Sequence, residues 1–167
     1  AFFRKLGPEF IYDSIGTVTK HVEQVSQDEI DERVKLEREL FDVDPAMPED
    51  RHAYAVRLYL GLKRYVEENG YAGYTAHFEE FGADGRYLQL PLLAASNLLA
   101  EGYGYAAEGD ASCAAMVASL GTLCGIANFS EMYMMDLKRD AILLCHAGER
   151  YVLIRGDGKV DRCTRYE

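Results

Sequence analysis

The chain has 167 residues and 18.8 kDa, is 49% hydrophobic and 28% charged, and carries a net charge of −10 with a sequence pI near 4.9. That length suits one domain with a sizeable core, and the acidic balance excludes nucleic acid as the main partner and an anionic membrane as a docking surface. No apolar run approaches the ~20 residues of a membrane span.

The start, Ala1-Phe2-Phe3-Arg4-Lys5, places its charges after its apolar residues, the reverse of a signal peptide. An opening Ala rather than Met suits a processed chain or a piece of a longer one. The four cysteines, Cys113, Cys124, Cys145 and Cys163, form no CxxC pair. They read as reduced and core-filling, with a cytoplasmic origin.

In chain order, Phe10-Ile11-Tyr12 and Thr17-Val18-Thr19 read as extended, with turns at Gly7-Pro8 and Gly16. Ser26-Gln27-Asp28-Glu29 is a capping box that opens a largely solvated helix. Its early carboxylates suit the positive end of the helix dipole. After Asp44-Pro45-Ala46-Met47-Pro48, a second helix begins near Glu49 or Asp50. Tyr54, Leu58, Leu62 and Val66 lie on one of its faces, and Asn69-Gly70 stops it. Tyr71–Phe78 reads as a buried strand.

The stretch Leu88–Asp110 organises the rest. Pro91 opens an apolar helix through Leu99, and Gly102 closes it. A strand-like Gly102-Tyr103-Gly104-Tyr105-Ala106-Ala107 then ends in Glu108-Gly109-Asp110. A small-residue helix follows over Ala111–Leu120, closed by Gly121. Ile126–Phe129 and Asp140–His146 read as strands, and Tyr151–Val160 as a β-hairpin around Gly156-Asp157-Gly158. The alternation gives an α/β fold with a largely parallel sheet flanked by helices and a C-terminal β-hairpin.

Three metal-ligand types follow strand-like segments: Glu108, Glu131 and His146, 23 and 15 residues apart. In a parallel sheet, ligands bind at the carboxyl ends of the strands. Two carboxylates and an imidazole suit a divalent cation such as Mn²⁺. A simpler reading stands beside this one: Glu108 as a carboxylate at a helix N-terminus, and His146 as a hydrogen-bonded histidine at a strand end. His21 and His52 read as solvated or helix-surface residues.

Leu88-Gln89-Leu90-Pro91 followed by Ala100-Glu101-Gly102-Tyr103-Gly104-Tyr105-Ala106-Ala107-Glu108-Gly109-Asp110 resembles the central region of the L-arabinose isomerases. These belong with the L-fucose isomerases in a superfamily of metal-dependent aldose–ketose isomerases. Phe129-Ser130-Glu131-Met132-Tyr133 and Leu144-Cys145-His146-Ala147-Gly148-Glu149 resemble the family's second glutamate and its histidine, in the same order. Leu62-Lys63-Arg64-Tyr65 and Tyr74–Glu79 resemble the preceding helix and strand. The likeness runs over about residues 25–149.

The resemblance implies that Glu108 and Glu131 bind Mn²⁺ or another divalent cation and act in proton transfer, with His146 as a third ligand. It places Gln89 and Phe78 near a small-molecule sugar; His77, which ends the preceding strand, is positioned to approach the same site. The implied reaction moves a carbonyl between C1 and C2 through an enediol, in a homo-oligomer of the full-length enzyme. Residues 1–149 are then a central α/β domain, and 150–167 an unplaced hairpin tail or the start of a C-terminal β domain.

Two departures limit the carry-over. The family's fourth ligand lies in a His-His context, whereas no histidine follows His146. The family's N-terminal and C-terminal domains have no counterpart in this sequence. The chain is therefore expected to be inactive alone. The rivals are a non-catalytic sugar-binding or interaction domain of the same descent, and a metal-dependent hydrolase built on the same three ligands.

Overall fold

The computed structural model describes residues 4–5, 7–82, 85–125 and 127–146. The tail expected at 150–167, with its hairpin, lies outside the described residues.

Helix α1 spans Ile15–Glu23, α2 Gln27–Leu40 and α3 Glu49–Glu68. Strand β1 is Gly73–Ala76, followed by the short α4 at Glu79–Gly82, α5 at Leu92–Ala100 and β2 at Gly104–Ala107. Helix α6 is Ala111–Cys124, and β3 at Glu131–Asp136 and β4 at Ala141–Cys145 complete the described elements. The capping box at Ser26 is formed in both directions, with Glu29 N–H on the Ser26 hydroxyl and the Glu29 carboxylate on Ser26 N–H.

β1 and β2 pair in parallel, Gly73 with Gly104 through Ala76 with Ala107, across a connection that contains α4 and α5. A parallel pair needs such a crossover. Helix α3 packs on α1 and α5, and α6 covers β1 and β2. Leu58, Tyr59, Leu62, Tyr65 and Val66 of α3 are buried, as the four-residue spacing requires. A second core region joins Leu99, Tyr105, Ala106, Ala107, Ala114, Val117 and Phe129. α6 approaches β2 closely because position 104 is glycine: a Cβ there would lie 2.7 Å from the Ala118 Cβ.

β3 and β4 form a separate antiparallel hairpin with a bulge at Met132/Met134. Met132, Tyr133, Met134, Met135, Ile142, Leu143 and Leu144 are all about half exposed or more.

Four local expectations change. Thr17–Thr19 lies in α1 rather than in a strand, because Ser14 caps the helix and Val18 and Val22 pack inward on it; that burial overrides the weak helix propensity of β-branched residues. Phe10-Ile11-Tyr12 has no regular structure. α6 runs past Gly121 and ends at Gly125, whose φ of +81° supplies the left-handed cap. The described residues of Ile126–Phe129 are not a strand, and β3 starts at Glu131.

Candidate active site

Glu108 is the first residue past β2. Its φ is +60°, followed by Gly109 at +82°, so the chain turns sharply before α6. A non-glycine residue in the left-handed region costs roughly 1–2 kcal/mol, and such strain gathers at functional sites. The Glu108 side chain is exposed and stands just past the carboxyl end of β2, the end of a parallel pair at which ligands commonly bind. His77 is the first residue past β1, and the Ala76–Ala107 register sets it across from Glu108. Its ring stacks on Phe78 at 4.7 Å, and its Nδ1 accepts from Glu79 N–H at 3.4 Å. His77 and Phe78 are exposed, and Gln89 is half-buried.

Asp110 caps α6, accepting the Cys113 N–H at 2.9 Å. The hydrogen bonds from the Cys113 thiol and backbone, then from Ser112 N–H, hold its carboxyl below the usual range. In return the hydrogen bond to Asp110, burial, and the negative charges of Asp110 and Glu131 push the Cys113 thiol up. Phe129, two residues before Glu131, packs in one core with Ala114 and Val117 of α6, which brings the start of β3 beside the helix that Glu108-Gly109-Asp110 leads into.

Glu131 begins β3 and His146 follows β4. The antiparallel register pairs Glu131 with Cys145, so the two ends of the hairpin meet. The His146 Nε2 lies 4.0 Å from Glu131 Oε2, with the imidazole side chain 11% exposed and the carboxylate 45% exposed. The sequence places both residues at strand ends of one parallel sheet; the structure brings them together by a hairpin instead. The His146 ring also meets the Phe129 ring edge to face at 4.9 Å.

This pair suits a divalent cation in donor chemistry, with one carboxylate oxygen and one imidazole nitrogen. Their separation is no longer than two metal–ligand bonds of about 2.1 Å each. Among the described residues, no group of three or more His, Cys, Asp or Glu side chains is close enough to hold a metal. Glu131 and His146 are thus together, and Glu108 stands apart from them.

The sequence reading missed a buried polar cluster. Glu37 of α2 is 1% exposed. Its Oε1 accepts from Arg33 Nε at 3.0 Å and Asn97 Nδ2 at 2.9 Å, and its Oε2 is 2.7 Å from His52 Nε2. His52 is buried rather than solvated, and His21 is bound to Glu68 at 3.0 Å and to the Thr17 carbonyl at 2.8 Å. The cluster ties α2, α3 and α5 together. Its one sequence signal was the Arg33/Glu37 spacing, which a surface ion pair shares.

A parallel strand pair with helices packed on it, with Glu108 and His77 just past the carboxyl ends of its strands and a Glu131–His146 pair on the following hairpin, defines an α/β domain with candidate ligand-binding side chains at one edge. Residues 4–125 match the family described as L-arabinose isomerase central domain, and the chain belongs to that family. It is 32% identical over 139 residues to the L-arabinose isomerase of Clostridium beijerinckii, covering 81% of this chain and 28% of that protein. It is 35% identical over 156 residues to that of Levilactobacillus brevis, covering 85% and 31%. For the Flavobacterium johnsoniae enzyme the identity is 33% over 131 residues, covering 73% and 25%. The chain thus spans about a quarter to a third of the length of these relatives. No described helix is long and apolar enough to cross a membrane.

Proposed function

We propose that this chain is the central segment of a metal-dependent aldose–ketose isomerase of the L-arabinose to L-ribulose type. In this reading Glu108, Glu131 and His146 supply part of a divalent-metal site. The observation that carries it is the 4.0 Å approach of His146 to Glu131, on a hairpin preceded by Phe129, which packs against the helix that Glu108 introduces, in a chain whose relatives are named as L-arabinose isomerases.

The chemistry sets clear demands. A base must take the proton from C2 of the open-chain sugar and return it at C1, and developing charge on the carbonyl oxygen must be stabilised. A Mn²⁺ or similar ion held by the three residues would polarise the adjacent sugar oxygens. The exposed Glu108 and half-exposed Glu131 carboxylates reach solvent and can carry the proton as general bases. His77, Phe78 and Gln89 follow the end of β1 and border the sugar, with the Phe78 ring as an apolar wall. The missing fourth ligand lies elsewhere in the full-length protein, which works as a homo-oligomer. Losing a ligand or its support costs a site heavily, so the 167 residues alone are inactive.

The alternative is a non-catalytic sugar-binding domain of the same descent, favoured by the absence of a three-donor cluster among the described residues. One assay tests the partial site and a second separates the readings. Ketose formation from L-arabinose by the chain with added Mn²⁺ is expected to be negligible, and robust turnover would overturn the partial-site reading. Sugar binding is expected to require Mn²⁺ and to weaken in Glu131→Ala; binding indifferent to both identifies the non-catalytic domain.

A further inference from the structure

We propose that Phe129 is the positioning residue that seats the Glu131–His146 pair against the end of β2, and so sets its place relative to Glu108; this rests on the function proposed above. The hairpin that carries the pair has little packing of its own. From Glu131 to Leu144 its residues are almost all exposed, and among the described residues its packing is chiefly between its own two strands. Its geometry must therefore be fixed at its root.

Phe129, two residues before Glu131, is 8% exposed and belongs to the core of β2, α5 and α6. Its ring meets His146 at 4.9 Å with an interplanar angle of 68°, and Tyr105 of β2 at 6.4 Å and 82°. Tyr105 in turn meets Tyr74 of β1 at 5.1 Å. A column of four rings thus runs from β1 through β2 to the imidazole. Tyr105 stands three residues before Glu108, so the column joins the strand that delivers one carboxylate to the hairpin that delivers the other.

Edge-to-face contacts fix the direction of a ring as well as its depth. Held on one side by Phe129, the imidazole of His146 turns its Nε2 toward Glu131. An aliphatic side chain at position 129 fills space without fixing that direction.

The test compares Phe129→Leu, Phe129→Tyr and Phe81→Leu in the 167-residue chain. Phe81 is an equally buried aromatic in a different part of the core. Two readouts are taken: the imidazole nitrogen–proton NMR spectrum of the metal-free chain, with His146 assigned through His146→Gln, and the affinity for Mn²⁺ alone. Phe129→Leu is expected to move the His146 ring resonances and weaken Mn²⁺ binding about tenfold or more, the range reached when support of a metal ligand is removed. Phe129→Tyr is expected to restore both. Phe81→Leu is expected to lower thermal stability and leave both unchanged. Should Phe129→Leu not fold, Phe129→Met, which adapts to the same slot, carries the same expectation. His146 resonances that stay in place in the Phe129 variant, or that move as far in Phe81→Leu, overturn the proposal. If the wild-type chain takes up no Mn²⁺, the metal reading falls, and the metal-free resonances still decide the role of Phe129.

Discussion

Replacing Glu37 with alanine tests whether the buried carboxylate organises the helical layer. The substitution removes three polar contacts, to Arg33, His52 and Asn97. Their costs differ. The Arg33 side chain is 19% exposed and lies over the Tyr59 ring at 4.6 Å, so its guanidinium regains water. Asn97 and His52 are 5% and 8% exposed. His52 Nδ1 already lacks a hydrogen-bond partner among the described residues, so the substitution strands both ring nitrogens. Each stranded buried group costs about 1–3 kcal/mol, and breaking a buried ionic pair typically costs about 3–5 kcal/mol. We expect a loss of about 4 kcal/mol, with Tm falling by about 8–16 °C for a chain of this size. The assay is urea and thermal unfolding followed by circular dichroism, with the exposed Glu39→Ala as control. A loss under about 1 kcal/mol, or one equal to that of Glu39→Ala, would refute the reasoning.

Gly104→Ala should destabilise by about 1–3 kcal/mol through overpacking, since the new methyl meets α6 at Ala118; equal urea midpoints for the two proteins would show that α6 can retreat at no cost. Glu108→Gly should be more stable than Glu108→Ala by about 1 kcal/mol because alanine keeps the left-handed strain, and chemical denaturation of the two variants checks the order. Burial first, and the hydrogen bond to Glu101 second, push the Tyr59 hydroxyl up to about 12 from 10.0. Below pH 10 both folded and unfolded states keep that proton. Above it the unfolded state releases it first, so the Tyr59 contribution is lost as pH rises from 10 toward 12. Tyr59→Phe should flatten that alkaline limb in unfolding curves, and an unchanged limb would assign it to other groups.

Much of the fold was legible where the sequence carries its own local instruction. Ser26 and Glu29 cap α2, Asn69-Gly70 ends α3, and the apolar run Ala141–Cys145 forms β4. What stayed illegible depends on distant partners. Thr17-Val18-Thr19 looks extended until α3 offers α1 a surface to pack on. Glu37 looks solvated because Arg33 lies one turn away, and only Asn97, 60 residues on, shows that it is buried. The site divides in the same way. The position of Glu108 at a strand end was readable. That Glu131 and His146 meet through an antiparallel hairpin depends on a register, and the contact of Phe129 with the His146 ring depends on packing.

The most direct test of the central claim is a Mn²⁺ titration of the chain, followed by loss of the free-ion paramagnetic resonance signal, in wild type, Glu108→Ala, Glu131→Ala and His146→Gln. In the proposed site Glu131 and His146 hold one edge and Glu108 closes the other, so wild type is expected to take up one ion. Each substitution should then weaken uptake by about tenfold or more. Uptake unchanged by Glu131→Ala and His146→Gln, or no uptake by wild type, would contradict the account.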